Sequence, residues 1–539
     1  MMRWIKMFPV LFLLTVVLAA AVPPAAAQGI AGVPAIENIL PGANWRGLPV
    51  AIQGKDFGRH QVPCFSTVTF NGVDAGQAII WTDNYIVVVV PEGATSGPVV
   101  VSNICGSSEP YDFTVYEQPA AVPCYFAEGT TRAGFEEWLT VYNPHDVEHT
   151  ATVTYLLAEG ANRIRYYNVP AHSRMNVYVN SEIGSDRDVS LVVTSTERLY
   201  AERPMYFRYK NEWTGGHCAE PALDTSRTWH FAEGTTRAGF EEWLCLANPG
   251  AADATVHATY YFADGGSLTI PYTVPAWRRY TVDVNATVGP ERDVAISINS
   301  DQPIVAERPM FFAYRGAWDD GHITAGATSP HETWFFAEGT TRAGFEEWLC
   351  LANPGEEAAE VEVTYGLSTG GITKQKFSVP AMRRHTILVN SVVGPERDVA
   401  ISIDSDRPIV AERSMYFDYR SKWNGGHLSL GAPAASTSWF FAEGTTRAGF
   451  EEWLCLFNPT GEEALVEVKY VFQDASTQTQ DVLLAPGRRF TVYVNELVGP
   501  DRDVAVWVES EREIVAERSV YFSYHGAWDG GHNAMGTAP

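Results

Sequence analysis

The sequence predicts an all-β protein in which one N-terminal β-sandwich precedes four tandem antiparallel β-sandwich repeats, arranged as beads on a string. The first observation is a block of fourteen residues, Phe126–Leu139, which recurs unchanged as Phe231–Leu244, Phe336–Leu349 and Phe441–Leu454. The second is the constant spacing of 105 residues, which indicates copies of one globular unit. The third is a pattern of short β-branched and aromatic runs with period-two alternation, without helical periodicity longer than two turns.

The period and its linkers predict the domain boundaries. Short stretches rich in Pro, Gly, Ser and Thr, such as 325–330 and 431–436, separate neighbouring repeats. Since a domain of this size is roughly 35 Å across, five in a row predict a rod on the order of 150–200 Å long. We expect a signal peptide over 1–27, a sandwich over 28–118, and repeats over 124–223, 224–328, 329–433 and 434–539.

The N-terminus has the layout of a secretory signal peptide. A short positive segment, Met1–Lys6, precedes the apolar run Met7–Val22 and the small residues Ala25–Ala27. This order predicts cleavage before Gln28 and export of the mature chain, with an uncleaved anchor as the alternative. We expect a secreted or extracellular protein, open to association with the cell surface, that has no membrane span after cleavage.

The chain is acidic, with a formal net charge of −26. Such a surface argues against nucleic acid as a partner. It leaves calcium binding open, although a solvated acidic surface explains the charge as well. We therefore expect no cofactor, with calcium as the alternative, and a partner that is an extracellular or cell-surface protein or glycan.

Four of the seven cysteines predict two disulfides in an exported chain. Cys64 and Cys105 have only each other in the region before the repeats. Cys124 and Cys218 open and close the first repeat, at positions where the second repeat has other residues. We therefore expect the pairs Cys64–Cys105 and Cys124–Cys218.

The other three cysteines, Cys245, Cys350 and Cys455, occupy one equivalent position in the last three repeats. One cysteine per repeat cannot pair within its repeat. Each follows an inward Trp by two residues and so faces the same side of a strand. A buried free thiol is the favoured interpretation, and a nucleophile or an intermolecular bridge are the alternatives.

The N-terminal region carries the punctuated short strands of a β-sandwich. Its marks are the opening Pro34–Ile36, the turns Ile52–Gly58 and Phe70–Gly72, and a Val-Pro pair followed by Gly97–Val101. With these motifs, about ninety residues resemble the IPT/TIG family of immunoglobulin-like domains. The resemblance implies an immunoglobulin-like sandwich that acts as a spacer or receptor module, without a catalytic residue set. The two cysteines here are not part of that family pattern.

Each repeat reads as seven or eight strands, which favours an antiparallel sandwich. Tandem units that open with Phe-Ala-Glu-Gly-Thr-Thr resemble repeats of exported and cell-surface bacterial proteins, and this likeness brings no activity with it. In the second repeat the expected strands are Trp229–Ala232, Glu242–Ala247, Ala254–Phe262, Ser267–Val274, Arg279–Val284, Val294–Ile298 and Ile304–Phe312.

Charged and histidine positions that recur in every repeat form the candidate site. The choice of Arg over Lys at each basic position favours bidentate contacts with carboxylates. An internal ion-pair network, a ligand site and a contact between successive repeats all remain open. The set is Glu128, Arg132, Glu137, Asp188, Glu202, Arg203 and His217, then Glu233, Arg237, Glu242, Asp293, Glu307, Arg308 and His322, then Glu338, Arg342, Glu347, Asp398, Glu412, Arg413 and His427, and finally Glu443, Arg447, Glu452, Asp503, Glu517, Arg518 and His532.

The network interpretation makes a specific claim about one repeat. It predicts that Arg237, Glu242, Asp293, Glu307 and Arg308 form a single, partly buried cluster, so that removal of Arg237 strands desolvated carboxylates.

The same residues do not predict an enzyme. Glu136 and Glu137 are adjacent on a strand and point to opposite faces, whereas glycosidase carboxylates flank one bond. One recurring His per repeat does not make a usual zinc set, and no nucleophile elbow or phosphate loop occurs. We expect no catalytic, cofactor or metal site.

The sequence therefore favours a modular stalk or adhesin of the cell exterior. Aromatic residues make up 12% of the chain, which keeps a second hypothesis open. In it, the protein binds carbohydrate multivalently, with one site per repeat and Trp138 or Trp213 as a stacking platform. Trp138 is favoured as a core residue, and Trp213 lies in a Gly-rich segment.

Overall fold

The computed structural model describes residues 32–116 and 122–539. The expected signal peptide lies outside these residues. The all-β prediction is confirmed, since antiparallel sheets account for nearly all regular structure and the helices are single turns. Within the described residues, no helix is long and apolar enough to cross a membrane.

The N-terminal region folds into two facing sheets around one apolar core. One sheet has the order β1-β3-β7-β6, and the other contains β2, β10, β8, β4 and β5, with β9 on β8. The strands are β1 (Ala35–Leu40), β2 (Ala43–Trp45), β3 (Pro49–Lys55), β4 (Thr67–Phe70), β5 (Val73–Asp74), β6 (Ile80–Trp81), β7 (Tyr85–Val89), β8 (Gly97–Asn103), β9 (Gly106–Ser107) and β10 (Tyr111–Tyr116).

Repeats 1 and 2 share one strand order. Repeat 1 has β11 (Val122–Phe126), β12 (Phe135–Asn143), β13 (His149–Leu157), β14 (Arg163–Val169), β15 (Ser173–Tyr178), α1 (Val179–Ile183), β16 (Val189–Ser195), β17 (Tyr200–Tyr209) and β18 (Trp213–Ala219). Repeat 2 has β19 (Ser226–Phe231), β20 (Phe240–Asn248), β21 (Ala254–Phe262), β22 (Ser267–Val274), β23 (Arg278–Asp283), α2 (Val284–Val288), β24 (Val294–Tyr314) and β25 (Trp318–Ala325).

Repeats 3 and 4 follow the pattern of repeat 2. Repeat 3 has β26 (His331–Phe336), β27 (Phe345–Asn353), β28 (Ala359–Leu367), β29 (Ile372–Val379), β30 (Arg383–Leu388), α3 (Val389–Val393), β31 (Val399–Tyr419) and β32 (Trp423–Leu430). Repeat 4 has β33 (Ser436–Phe441), β34 (Phe450–Phe457), β35 (Ala464–Phe472), β36 (Thr477–Leu484), β37 (Arg489–Tyr493), α4 (Val494–Val498), β38 (Val504–Tyr524) and β39 (Trp528–Met535).

One long strand joins the two sheets in each of repeats 2, 3 and 4. In repeat 2 the first half of β24 pairs with β19 and β21, and the second half pairs with β20 and β25. The expected strands divide this stretch in two, at Val294–Ile298 and Ile304–Phe312, and include none over the segment of β25. In repeat 1 the division is real, since β16 and β17 are separate. The apolar alternation faces inward, and each repeat has its own core.

The four repeats close into a ring. Their last strands, β18, β25, β32 and β39, pack side by side around a common axis, and β39 returns to β18. The arrangement as beads on a string, and the rod that follows from it, are therefore wrong. A sandwich that buried only its own core would leave the outer face of its second sheet in water, whereas here that face packs on the preceding repeat.

The N-terminal sandwich also docks on the ring. Its residues Ala51, Ile79 and Val87 form an apolar cluster with Leu156 of repeat 1 and Trp277 of repeat 2. The indole N–H of Trp277 donates to the carbonyl of Gln77 at 2.6 Å. The first domain thus rests across two neighbouring repeats.

Candidate functional site

A buried ion-pair triad joins each repeat to the next at a contact that we call a seam. At the seam between repeats 2 and 3, Arg308 pairs with Glu233 of its own repeat at 2.6 Å and with Glu412 of the next at 3.4 Å. Glu412 also accepts a hydrogen bond of 2.6 Å from the N–H of Glu233. Burial raises the pKa of Glu412 to about 7, and Arg308 opposes that rise. The triad has no access to water, since Arg308 and Glu412 are 0% exposed.

The triad recurs at all four seams, including the seam between repeats 4 and 1, which we call the closing seam. In each triad the Arg pairs with one Glu of its own repeat and one Glu of the following repeat, as Arg203 does with Glu307 and Arg308 with Glu412. The remaining triads consist of Arg203 with Glu128 and Glu307, Arg413 with Glu338 and Glu517, and Arg518 with Glu443 and Glu202. These candidate residues therefore lie at contacts between successive repeats.

A second set of arginines, which the sequence analysis missed, crosses the same seams. Arg384 donates to the carbonyl oxygens of Gly234 and Val294 in the preceding repeat and to the sulfur of Cys350 at 3.2 Å. A signal was present, because an Arg recurs at this position with the period of 105 residues. The equivalents are Arg174, Arg279 and Arg489.

The recurring Arg–Asp pairs lie apart from the triads. Arg237 bonds Asp293 at 2.6 Å within repeat 2, and the side chain of Arg237 is 59% exposed. The expected single cluster is therefore divided, because Arg237 forms this surface pair whereas Glu307 and Arg308 belong to buried triads at two different seams. The equivalent surface pairs are Arg132 with Asp188, Arg342 with Asp398 and Arg447 with Asp503.

One recurring Glu of the block lies inside each sandwich. Glu242 is 0% exposed, and burial raises its pKa well above the ordinary range, against the opposing effect of Arg308. Burial raises the pKa of Glu452, its equivalent in repeat 4, to about 8. Burial therefore favours the neutral form of these side chains. The other two equivalents are Glu137 and Glu347.

The recurring histidines surround the axis of the ring. His217, His322, His427 and His532 are all buried, and none of their ring nitrogens has a hydrogen-bond partner in the described residues. Burial lowers the pKa of each, to about 4 for His322. They are therefore neutral at neutral pH. In the described parts of the chain, no three His, Cys, Asp or Glu side chains are placed to hold a metal ion.

Aromatic contacts and a tyrosine hydroxyl complete each seam. Tyr314 of repeat 2 stacks on Tyr416 of repeat 3 with ring centroids 4.0 Å apart. Its hydroxyl donates to Glu346, the second Glu of the fixed block in repeat 3, at 2.8 Å. At the closing seam, Tyr524 makes the same bond to Glu136 at 2.7 Å.

A cavity opens at three of the seams and is lined by equivalent residues each time. Between repeats 3 and 4 it measures ≈ 440 Å³, and its lining includes Arg342 and Asp398 from one side and Trp453 and Arg489 from the other. The cavity between repeats 1 and 2 measures ≈ 330 Å³, and that at the closing seam ≈ 520 Å³. The equivalent lining residues are Arg132, Asp188, Trp243 and Arg279, and Arg447, Asp503, Trp138 and Arg174.

Each cavity combines aromatic walls with an unused donor. Phe345, Tyr419 and Trp453 line the cavity between repeats 3 and 4. Arg489 is 7% exposed, and its Nε–H has no partner among the described residues. Trp453 and its equivalent Trp138, which the sequence analysis favours as a core residue, are only half-buried. The fixed block therefore contributes both to seam contacts and to the cavity lining.

The expected disulfides are not formed. Cys124 lies in the core of repeat 1, whereas the sulfur of Cys218 lies 3.7 Å from Nη2 of Arg518, toward repeat 4. Cys64 is an exposed free thiol in a turn with a left-handed φ of 66°, outside the ladder in which Thr67 pairs with Ser102. The ladder therefore does not extend far enough to bring Cys64 opposite Cys105.

The remaining cysteines, Cys245, Cys350 and Cys455, are buried free thiols, as predicted. Burial raises the pKa of Cys245 to about 12 and that of Cys350 and Cys455 to about 11, so that no reactive thiolate forms at neutral pH.

No family model and no curated protein matches the chain. The IPT/TIG resemblance and the likeness to Phe-Ala-Glu-Gly-Thr-Thr repeats stay predictions. Similar solved structures include Thermotoga maritima 1070, 18% identical, over 19% of this chain and 94% of the other, with a TM-score of 0.18.

Two further structures are similar. The Anabaena sensory rhodopsin transducer is 30% identical, over 16% of this chain and 87% of the other, with a TM-score of 0.15. An auxiliary nutrient binding protein from Bacteroides thetaiotaomicron is 13% identical, over 56% of this chain and 77% of the other, with a TM-score of 0.15. Likeness at these TM-scores carries no argument about function.

Proposed function

We propose that the protein is an exported, non-enzymatic binding protein that presents a carbohydrate site at the seams of a closed ring. The observation that carries this proposal is the cavity that recurs at three seams with equivalent lining residues. A ring does not suit a stalk, because repeats that close on one another do not lengthen the molecule. Repetition of one pocket suits multivalent binding, in which several weak sites act together.

The chemistry of the cavity fits a sugar. The C–H face of a sugar ring packs against aromatic faces such as that of Trp453, whose π-system is electron-rich. Sugar hydroxyls both donate and accept hydrogen bonds, and the rim offers the acceptor Asp398 beside the donor Arg342. The Nε–H of Arg489 adds a buried donor that a ligand oxygen would satisfy.

The test is a glycan-array screen of the full chain, followed by calorimetric titration with the best oligosaccharide. Arg342→Ala removes a rim donor from one seam, so we expect the number of sites per chain to fall by one while the remaining sites keep their affinity. Arg407→Ala is the matched control, because Arg407 is a half-exposed Arg paired with Glu357 and lines none of the three cavities. Absence of any glycan binding by the wild type, or an unchanged stoichiometry for Arg342→Ala, would refute the proposal.

A further inference from the structure

The axis of the ring carries one carboxyl group where the repeat provides four equivalent positions. The period of 105 residues makes Gly215, Asp320, Gly425 and Gly530 equivalent, so that only repeat 2 has a side chain there. Asp320 is 0% exposed. A fully buried carboxyl group is costly unless its oxygens are hydrogen-bonded.

Four backbone N–H groups, one from each repeat, donate to this carboxyl group. Oδ1 of Asp320 accepts from Gly216 at 2.9 Å and from Gly321 at 2.8 Å. Oδ2 accepts from Gly426 at 3.2 Å and from Gly531 at 3.3 Å. All four N–H groups donate to the carboxyl oxygens, which favours the anion and opposes burial, although burial still raises the pKa of Asp320 well above its ordinary range.

The three glycines leave the space that the carboxyl group occupies. A Cβ at Gly215 would lie 1.7 Å from Oδ1 of Asp320, and a Cβ at Gly425 would lie 2.3 Å from Oδ2. None of the three glycines has a positive φ, so the backbone itself would accept another residue. At Gly215 and Gly425 the nearest atom to an added Cβ is an oxygen of Asp320, whereas at Gly530 Phe522 is as close as that carboxyl group. The axis thus has room for one carboxyl group.

We propose that the axis is a single-occupancy anion site, formed by one N–H from each repeat, in which Asp320 is a built-in ligand that locks the ring. Without the carboxyl group, four buried N–H groups would converge on an empty space, and each unsatisfied donor destabilises the fold. A single side chain thus couples all four repeats at once.

Because the four repeats are related by pseudo-symmetry, a different repeat could supply the carboxyl group. Gly425 faces Phe417 in its ladder as Asp320 faces Phe312. Once the carboxyl group of Asp320 is gone, a Cβ at Gly425 lies 3.0 Å from Cζ of Phe417, so that ring must shift by a few tenths of an ångström. A carboxylate supplied from repeat 3 would reach the same four N–H groups. A small free carboxylate would fit as well, if no side chain fills the site.

The test compares three variants of the full chain by thermal unfolding. We expect Asp320→Gly and Gly425→Asp each to lower the unfolding midpoint by several degrees, the first through empty donors and the second through two carboxylates in one site. The double variant, Asp320→Gly with Gly425→Asp, should recover most of the loss. The proposal would be overturned if the unfolding midpoint of the double variant is no higher than that of Asp320→Gly. Failure of both proteins to fold would count as the same outcome.

A ligand titration provides the second readout. Formate, added to folded Asp320→Gly, should raise its midpoint in a saturable manner, while the wild type under the same conditions should show no saturable rise. The wild type corrects for general salt effects. Saturable stabilisation of both proteins, or of neither, would overturn the assignment of an anion site.

Discussion

The seam between repeats 2 and 3 is bridged by a covalent linker, whereas the closing seam has none, and yet both are built from the same contacts. Arg308 pairs with Glu412 across the linked seam, and Arg518 pairs with Glu202 across the closing seam. Equivalent side-chain contacts thus join neighbouring repeats with or without a linker. The linker determines only which copies are joined in sequence.

The closing seam differs from the others at its rim and keeps the buried triad. At the rim, Lys210 bonds Glu241 at 2.5 Å between repeats 1 and 2, but His525 lies 3.5 Å from Glu136 at the closing seam. Exposed ion pairs contribute little, so their residues can vary. A buried Arg that loses a partner costs much more, and accordingly the triads are unchanged.

The largest expected effect comes from breaking a triad at either seam. Arg518→Ala leaves Glu202 and Glu443 without their cation in a dry interface, and Arg308→Ala does the same to its partners. We expect each variant to lose about 3–5 kcal/mol of unfolding free energy. Chemical denaturation of the full chain measures the loss.

The informative outcome is an equal loss of unfolding free energy in Arg518→Ala and Arg308→Ala. If the closing seam did not form, Arg518 would have only Glu443 as a partner, and Arg518→Ala would be clearly milder than Arg308→Ala. Lys-for-Arg variants at the same positions serve as controls that keep the charge and lose the forked geometry.

The sequence predicts the fold of one repeat better than the arrangement of the four. Strand alternation and the period of 105 residues are local signals, whereas a contact between repeats has the same residue types as a contact within one. One signal was available and unused. Met310, Phe311 and Phe312 follow one another on a strand, and every copy has apolar or aromatic residues at these positions, so they indicate that both faces of that sheet are buried. A two-layer sandwich buries only one face, and therefore the second must meet another module.

The next largest effect is the pH dependence of stability that arises from the buried histidines, one from each repeat, at the axis. Burial lowers the pKa of His322 to about 4, below the value of about 6.5 in the unfolded chain. The unfolded state therefore binds more protons below pH 6.5, and stability is lost as the pH falls from there toward about 4. At pH 5 one such histidine lowers the unfolding free energy by about 2 kcal/mol.

His322→Asn isolates this contribution. The gap in unfolding free energy between wild type and variant should narrow by about 2 kcal/mol between pH 7.5 and pH 5. A gap that is the same at both pH values would contradict a buried neutral histidine.

The smallest effect is expected at the surface pairs. Arg237 is 59% exposed and bonds only its own repeat through Asp293, so Arg237→Ala should cost within about 1 kcal/mol. The sequence alone predicts a much larger loss, because it places Arg237 in a buried cluster. Chemical denaturation of Arg237→Ala and Arg308→Ala under the same conditions distinguishes these two expectations. A loss in Arg237→Ala as large as that in Arg308→Ala would show that the surface pair belongs to the seam.

The ring itself is tested most directly by small-angle X-ray scattering of the mature chain. A compact particle of about 500 residues has a radius of gyration of about 24 Å, whereas five domains in a row on the order of 150–200 Å long give roughly 45–55 Å. The closed ring predicts a value near the first figure. A radius of gyration near 50 Å would show that repeats 4 and 1 do not meet in solution.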